Sequence, residues 1–230
     1  MNQGRRDLLA RTPMFEGVPA DQLDALAAHA MPIKLAARET LFCKGDTGDR
    51  LYLVTEGTIR VGVVSADGRE VTYGLIRPGN LFGEIAVLDN GERTADASAL
   101  EPSKLLAFER RHVVELLARN PDCMLRLVTV LCQRIRQADQ LLEDIFFLSL
   151  PSRLAKHLLA LSDLLGEESR TGDSVTIRMS QQAVADHMGI SRESVNKVLS
   201  KWEQSGLVSL WRGQIKIHDR KRLDELLNSE

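Results

Sequence analysis

The residues with the clearest chemical potential lie between Gly83 and Ala95. Gly83 is followed by a carboxylate, Glu84, and further along the chain Arg93 stands beside the hydroxyl of Thr94. A carboxylate accepts from sugar hydroxyls, an arginine binds a phosphate through two parallel N–H groups, and a threonine adds a hydroxyl donor. A glycine lets the main chain approach a ligand closely. The set predicts a pocket for a phosphorylated sugar, and the alternative is a surface hairpin with a Glu–Arg pair.

Composition is ordinary, but the charge is unevenly distributed. The 230 residues are 43% hydrophobic and 27% charged, which indicates one or two soluble globular domains. The net charge of −2 does not by itself suggest a nucleic-acid partner. Residues 174–222, however, contain nine Lys and Arg against four Asp and Glu. This excess of positive charge predicts an anionic partner for the C-terminal part.

The three cysteines, Cys43, Cys123 and Cys132, form no C-x-x-C pair, so we expect no zinc site. The odd number of cysteines and a polar start without an apolar signal region predict reduced thiols and a cytoplasmic location. No apolar run approaches the length of a membrane span, so we expect no membrane contact.

Residues 31–108 alternate short apolar runs with glycine turns, which predicts a small β-barrel or jelly roll. Asp67-Gly68 is a hairpin signal between two of these runs. The segment from Gly83 to Ala95 falls between two predicted strands, a position that suits a pocket within a roll. Before the roll, residues 7–30 have helical spacing that Pro13 and Pro19 interrupt.

A short helix is predicted over 109–119, and a long one from Asp122 to Leu148. Apolar residues of the long helix recur in alternating steps of four and three, which favours a parallel two-stranded coiled coil and hence a homodimer. The alternative is a helix packed on its own domain. The apolar positions are Met124, Val128, Leu131, Ile135, Ala138, Leu142 and Ile145.

After Pro151 the pattern changes to a helix over 152–161, a polar loop over 166–172 and a short strand over 175–177. A helix capped by Ser180, a turn at Gly189 and a helix capped by Ser191 predict a helix-turn-helix. Two strands, 206–208 and 214–218, would form a wing, and a last helix would follow from Arg220 to Asn228. A surface helix with a Glu193–Lys197 charge pair is the alternative to a DNA-reading helix.

With a roll, a long helix and a winged helix-turn-helix in that order along the chain, the sequence resembles the Crp/Fnr family of bacterial transcription regulators. The segment Phe82-Gly83-Glu84 with Arg93-Thr94-Ala95 resembles the phosphate-binding cassette of cyclic-nucleotide-binding domains, and Ile190–Val195 resembles the start of the family's recognition helix. The resemblance implies an α+β fold with an N-terminal cyclic-nucleotide-binding β-roll, a long dimerisation helix and a C-terminal winged helix-turn-helix. The corresponding domains are residues 1–118, 119–149 and 150–230.

The resemblance also implies a function and a set of site residues. The function is a homodimeric, cyclic-nucleotide-responsive regulator that binds double-stranded DNA at an inverted repeat and contacts RNA polymerase, with no enzymatic activity and no metal. A regulator with a vestigial pocket that works without cyclic nucleotide is the alternative. The implied ligand-binding residues are Gly83, Glu84, Ile85, Ala86, Arg93, Thr94, Ala95, Arg134, Ala138 and Asp139. The implied DNA-binding residues are Ser180, Gln181, Gln182, Ser191, Arg192, Glu193, Asn196, Lys197 and Lys201, and Arg212 is a further candidate for a phosphate contact.

The sequence departs from the cAMP-responsive pattern on the long helix. Ala138 and Asp139 stand where those members carry a Thr-Ser pair that contacts the adenine amino group. Guanine presents two adjacent donors that one carboxylate can accept together, and leaving such groups unpaired in a pocket costs about 1–3 kcal/mol. Asp139 therefore favours cGMP over cAMP. The alternative is that Asp139 pairs with Arg136 on its own helix.

Overall fold

The computed structural model describes residues 2–65, 70–168 and 174–227. The chain divides into two units, Met1–Val64 with Thr72–Arg134 and Ser65–Val71 with Ile135–Glu230. The division crosses the longest helix after Arg134. Within the described ranges, no helix is both long and apolar enough to cross a membrane.

The first unit opens with the short helices that the sequence predicts. They are α1 (Asn2–Ala10), a 3₁₀ turn (Pro13–Phe15) and α2 (Ala20–Ala28). Pro13 begins the 3₁₀ turn and Pro19 precedes α2, because proline lacks an N–H group and is tolerated only in the first turn of a helix.

The predicted β-roll is confirmed. Its elements are β1 (Met31–Leu35), β2 (Thr40–Phe42), β3 (Arg50–Glu56), β4 (Ile59–Val64), β5 (Glu70–Ile76), β6 (Leu81–Phe82), α3 (Glu84–Asp89), β7 (Asp96–Ala99) and β8 (Ser103–Glu109). Two four-stranded sheets have the orders β1-β8-β3-β6 and β2-β7-β4-β5. The predicted turn at Asp67-Gly68 lies outside the described residues, although β4 and β5 flank it.

Strand β3 is buried on both faces, which explains its continuous apolar sequence. Leu51 and Leu53 join the core beneath the helices, whereas Tyr52 and Val54 join the core inside the roll. Successive side chains of a strand point to opposite faces, so one strand contributes to two cores. Burying an apolar side chain of this size stabilises the fold by about 1.5–3 kcal/mol.

Two helices follow the roll, α4 (Arg110–Arg119) and α5 (Pro121–Phe147). At the start of α5, Cys123 and Leu127 are buried against the helical core. The predicted coiled-coil face is open in the single chain, with Ile135 60% exposed. The other large apolar residues that are exposed on this face are Met124, Val128, Leu142 and Ile145.

The second unit confirms the predicted winged helix-turn-helix. Its elements after α5 are α6 (Leu150–Leu165), β9 (Glu167–Glu168), β10 (Val175–Ile177), α7 (Gln181–Met188), α8 (Arg192–Gln204), β11 (Val208–Trp211), β12 (Gln214–Ile217) and α9 (Arg220–Glu225). The strands form one sheet in the order β11-β12-β10-β9. Leu154, Leu158, Val195 and Leu199 pack in a single core beneath it.

Three local predictions need correction. Pro151 lies in the first turn of α6 behind the Ser149 cap, so that helix begins earlier than 152. The stretch 166–172, predicted as a loop, contains the C-cap Gly166 of α6 and strand β9, and its residues from 169 onward fall outside the described residues. The first wing strand begins at Val208, because Gly206 has a φ of +72° in the turn that follows α8.

Candidate ligand site and nucleic-acid interface

Arg93 lies inside the roll and is only 4% exposed. Its Nη1 donates to the Gly83 carbonyl at 3.0 Å and its Nη2 donates to the Arg50 carbonyl at 2.9 Å. The guanidinium lies over the Phe42 ring at 4.3 Å from the centroid and 5.3 Å from that of Tyr52. Two carbonyls and two rings thus hold the cation in place.

Burial and the neighbouring arginines change the pKa of Tyr52. Burial raises the pKa of Tyr52 above its ordinary value of 10, and the neighbouring Arg93 and Arg50 charges oppose that shift. Tyr52 therefore faces Arg93 as a neutral ring at physiological pH. Neither Tyr52 nor Phe42 was among the predicted site residues, although strand alternation places both inside the roll.

Glu84 is 3% exposed at the start of α3, and its partner is Arg134 of α5. Arg134 Nη1 donates to Glu84 Oε1, and Nη2 donates to the Leu81 carbonyl at 3.3 Å. A buried carboxylate requires a paired charge, which the arginine supplies. The structure therefore brings together four of the predicted ligand residues, because Arg134 donates to Glu84 and Arg93 donates to the carbonyl of Gly83, which directly precedes Glu84.

Two glycines fix the backbone of the site. Gly83 has a φ of +81°, and a Cβ there would lie 2.7 Å from Arg93 Nη1. Gly48, in the turn before β3, approaches α3 so closely that an added Cβ would lie 2.1 Å from the Ala86 Cβ. Ala86 is buried in this contact, and Ala95 is also buried, whereas Ile85 and Thr94 are exposed.

The predicted base-contacting residues, Ala138 and Asp139, lie on α5 beyond Arg134, and both are exposed. Among the described residues, no ion pair joins Asp139 to Arg136.

The two helices of the helix-turn-helix begin at the predicted caps. Ser180 Oγ accepts from Ala183 N at 3.1 Å, and Ser191 Oγ accepts from Ser194 N at 3.2 Å. Gly189 makes the turn with a φ of +65°. Capping serines satisfy main-chain donors of the first helical turn.

The outer face of α8 presents Arg192, Glu193, Lys197 and Lys201, all exposed, while Val195 and Val198 anchor its inner face. Gln182 is also exposed, and it donates to Asp186 at 2.7 Å. Gln181 is half-buried. Asn196 differs from the others, because its Oδ1 atom is buried and has no hydrogen-bond partner among the described residues. Asn196 must therefore change rotamer before that oxygen meets a base.

His157 of α6 is a buried titratable group in the same unit. Its ring lies 5.6 Å from that of His187, and burial, with a further effect from His187, lowers the pKa of His157 from 6.5 to about 4. Across the described ranges, no three His, Cys, Asp or Glu side chains come together as a metal site.

Comparison with known proteins supports the fold and identifies both domains. A cyclic nucleotide-binding domain model matches residues 32–120, and a Crp-like helix-turn-helix domain model matches residues 152–226. A CRP-like cAMP-activated global transcriptional regulator of Mycobacterium tuberculosis is 32% identical over 217 residues, covering 94% of this chain and 97% of the relative. A cyclic AMP receptor protein of Thermus thermophilus is 32% identical, covering 94% and 96%.

A solved structure of a CRP/FNR-family transcriptional regulator from Thermus thermophilus has a TM-score of 0.70 at 28% identity, covering 86% of this chain and 99% of that one. A cyclic-nucleotide-binding roll followed by a long helix and a winged helix-turn-helix defines a DNA-binding transcription regulator. The chain belongs to the Crp/Fnr family.

Proposed function

We propose that this chain is a homodimeric transcription regulator whose DNA binding is controlled by a cyclic nucleotide. The observation that carries the proposal is the pairing of Glu84 with Arg134. It connects the predicted ribose-binding carboxylate to the helix on which the dimer would form. A ligand that engages Glu84 therefore acts on α5 directly.

The cyclic phosphate would compete for Arg93. A phosphate is negatively charged and can accept two parallel N–H bonds from one guanidinium, so it is a better acceptor for Arg93 than the neutral carbonyls of Gly83 and Arg50. Thr94, exposed beside Arg93, adds a hydroxyl. Glu84 would accept a hydrogen bond from the ribose 2′-hydroxyl. The Glu84 carboxylate would then be shared between this hydroxyl and Arg134.

The resulting mechanism is a population shift in which the ligand favours the α5 arrangement that presents two recognition helices. The exposed apolar face of α5 supplies the dimer contact. Two recognition helices one DNA turn apart would bind an inverted repeat in the cytoplasm. RNA polymerase would be contacted at the region of residues 166–172.

Asp139 supports guanine as the ligand base. It is exposed on α5, and a carboxylate matches the two adjacent donors of guanine. The cAMP-activated relative gives the competing expectation that adenine is bound.

Calorimetric titration of the purified protein with cGMP and with cAMP tests the ligand. We expect tighter binding of cGMP, lost in Asp139→Ser and retained in Glu143→Ser, a control that removes an exposed carboxylate one turn further along α5. Preferential binding of cAMP by the unaltered protein would overturn the guanine assignment. Unchanged cGMP binding in Asp139→Ser would assign the base contact to another residue.

One observation favours a second candidate, a regulator with a vestigial pocket. Arg93 and Glu84 already have partners within the protein. If neither nucleotide binds and Arg93→Ala still recognises the same DNA, this second function is the correct one.

A further inference from the structure

Arg50, the first residue of β3, is an arginine of the roll that was not among the predicted site residues. Its carbonyl accepts a hydrogen bond from Arg93. Its side chain lies on the same face of the strand as that of Tyr52, because side chains two positions apart on a strand share a face. Tyr52 and Val54 turn this face toward the interior of the roll. The strand thus directs Arg50 to the side of the sheet on which Arg93 covers the Tyr52 ring.

Two positive charges act on the phenol of Tyr52. The Arg93 and Arg50 guanidinium groups both lower the pKa that burial raises, which indicates that both lie near the phenol. Among the described residues, Arg93 has no carboxylate partner, and Arg50 has one, Asp49, with 3.8 Å between Nε and Oδ1. Like charges repel strongly in a partly buried site. The excess of one positive charge therefore suits a cyclic phosphate, a diester with one negative charge.

The Arg50 guanidinium retains unused hydrogen-bond donors. Its Nε atom is buried and has no hydrogen-bond partner among the described residues. The distance of 3.8 Å to Asp49 permits charge attraction but is too long for a hydrogen bond. Glu109 stands directly opposite Arg50 on β8, yet its carboxylate pairs with Arg111 at 2.7 Å. The five N–H groups of an arginine are thus largely available to an anion at Arg50.

Asp49 is an exposed partner for Arg50. The Asp49 side chain is 67% exposed and the Arg50 side chain 40%. An ion pair with this exposure contributes little to stability, because water and salt screen it. A phosphate can accept two parallel N–H bonds from one guanidinium. Arg50 can therefore exchange Asp49 for a phosphate at small cost.

We propose that Arg50 is a second phosphate-binding arginine of the ligand site and that Asp49 competes with the ligand for it. Arg93 and Arg50 bind the same phosphate, and the Arg50–Asp49 ion pair opens when the ligand enters. Asp49 thereby lowers the affinity for the ligand, whereas Arg50 raises it. This inference rests on the proposed function and deepens it, because it adds a pair of residues that set the affinity of the site for an anionic ligand.

Substitutions at these two neighbouring positions should change nucleotide affinity in opposite directions. Arg50→Gln should weaken binding about tenfold, as expected for the loss of one charge-assisted contact. Asp49→Asn should strengthen binding about threefold, because it removes the competing carboxylate of an exposed ion pair. In the Arg50→Gln background, Asp49→Asn should have no effect. Calorimetric titration with cGMP and with cAMP measures all three variants.

Arg119 and Glu115 of α4 form a matched control pair. They are joined at 2.7 Å, and their side chains are 66% and 57% exposed. Arg119→Gln and Glu115→Gln should each leave nucleotide affinity unchanged. Thermal unfolding without nucleotide shows whether Arg50→Gln is folded, and the tighter binding of Asp49→Asn cannot result from unfolding.

Two comparisons identify the phosphate as the group that Arg50 binds. The loss of affinity in Arg50→Gln should have the same factor for cGMP and for cAMP, because the cyclic phosphate is common to both. The loss should become smaller when the salt concentration is raised from about 0.05 M to about 0.5 M, because salt screens a partly exposed charge. A loss confined to one nucleotide would assign Arg50 to the base and overturn the phosphate contact.

Failure of this inference differs from failure of the proposed function. If the unaltered protein binds a nucleotide and Arg50→Gln binds it equally well, the inference is wrong and the proposed function stands. If Arg50→Gln and Asp49→Asn both weaken binding, the ion pair has a structural role and the inference is again wrong. If the unaltered protein binds neither nucleotide, both proposals are overturned.

Discussion

Arg134 donates a hydrogen bond to Glu84, a carboxylate fifty positions earlier in the chain and almost fully buried. The pair joins α5 to the first turn of α3. Because an isolated buried carboxylate is costly, the arginine is required by the roll as well as by the ligand site. Under the proposed function, the same contact would both stabilise the roll and respond to ligand binding.

Arg134→Gln should lower the free energy of unfolding by about 1–3 kcal/mol, since it leaves Glu84 buried without its charged partner. Glu84→Gln in the Arg134→Gln background should recover part of that loss. Urea denaturation measures both, and Arg136→Gln, which removes an exposed arginine of the same helix, serves as the control. Strictly additive losses in the double variant would contradict the coupling.

Gly48→Ala should weaken nucleotide binding about tenfold or more, because the new methyl group would displace Ala86 and with it α3. Ala86→Gly in the same protein should restore binding by vacating that space. Gly74→Ala is the matched control, since a Cβ there meets nothing within 4 Å. Normal affinity in Gly48→Ala would show that α3 does not position the ligand.

Ile135→Glu should weaken dimerisation by about a hundredfold, because each subunit would bring an unpaired charge into an apolar contact. Sedimentation over a range of concentrations measures this change. Gln133→Glu places the same charge on the polar face of α5 and should leave the dimer intact. An undiminished dimer in Ile135→Glu would exclude this face as the contact.

Stability should fall on acidification between about pH 6.5 and pH 4 because of His157. The pKa of His157 is depressed in the folded protein, so the unfolded chain takes up the proton first and is favoured as the pH drops. At about pH 5 the effect is about 2 kcal/mol.

His157→Gln should remove that part of the pH dependence, as shown by urea denaturation at about pH 7.5 and about pH 5. Parallel losses of stability in the variant and in the unaltered protein would show that other groups cause the acid sensitivity.

Elements with a strong local signal were predictable from sequence. The helix-turn-helix was correctly predicted because each of its signals lies within a few residues of sequence. These signals are the two serine caps, the turn at Gly189 and the apolar spacing of α8. The roll was likewise predictable from its alternating strands. The limits of helices and strands were less predictable from the sequence. Pro151, for example, is compatible both with a break in a helix and with the first turn of one.

The hydrogen-bond partners and the burial of the candidate site residues depend on contacts between residues that are distant in sequence, so they could not be predicted. Arg93 was assigned to a phosphate from its type, but its carbonyl partner at Arg50 is 43 positions away. The placement of Phe42 beneath the guanidinium needs the packing of two sheets. The buried oxygen of Asn196 could not be foreseen from a position that helical spacing places near the DNA-facing surface.

Strand β3, whose side chains enter two separate cores, also limits how the roll can respond to a ligand. Sliding it by one residue would exchange Tyr52 with a neighbouring leucine and disrupt both cores at once. The carbonyl of Arg50 is therefore a fixed reference point for Arg93. If the proposed function is correct, the response to a ligand begins with side chains that exchange hydrogen-bond partners, and not with a shift of strand β3.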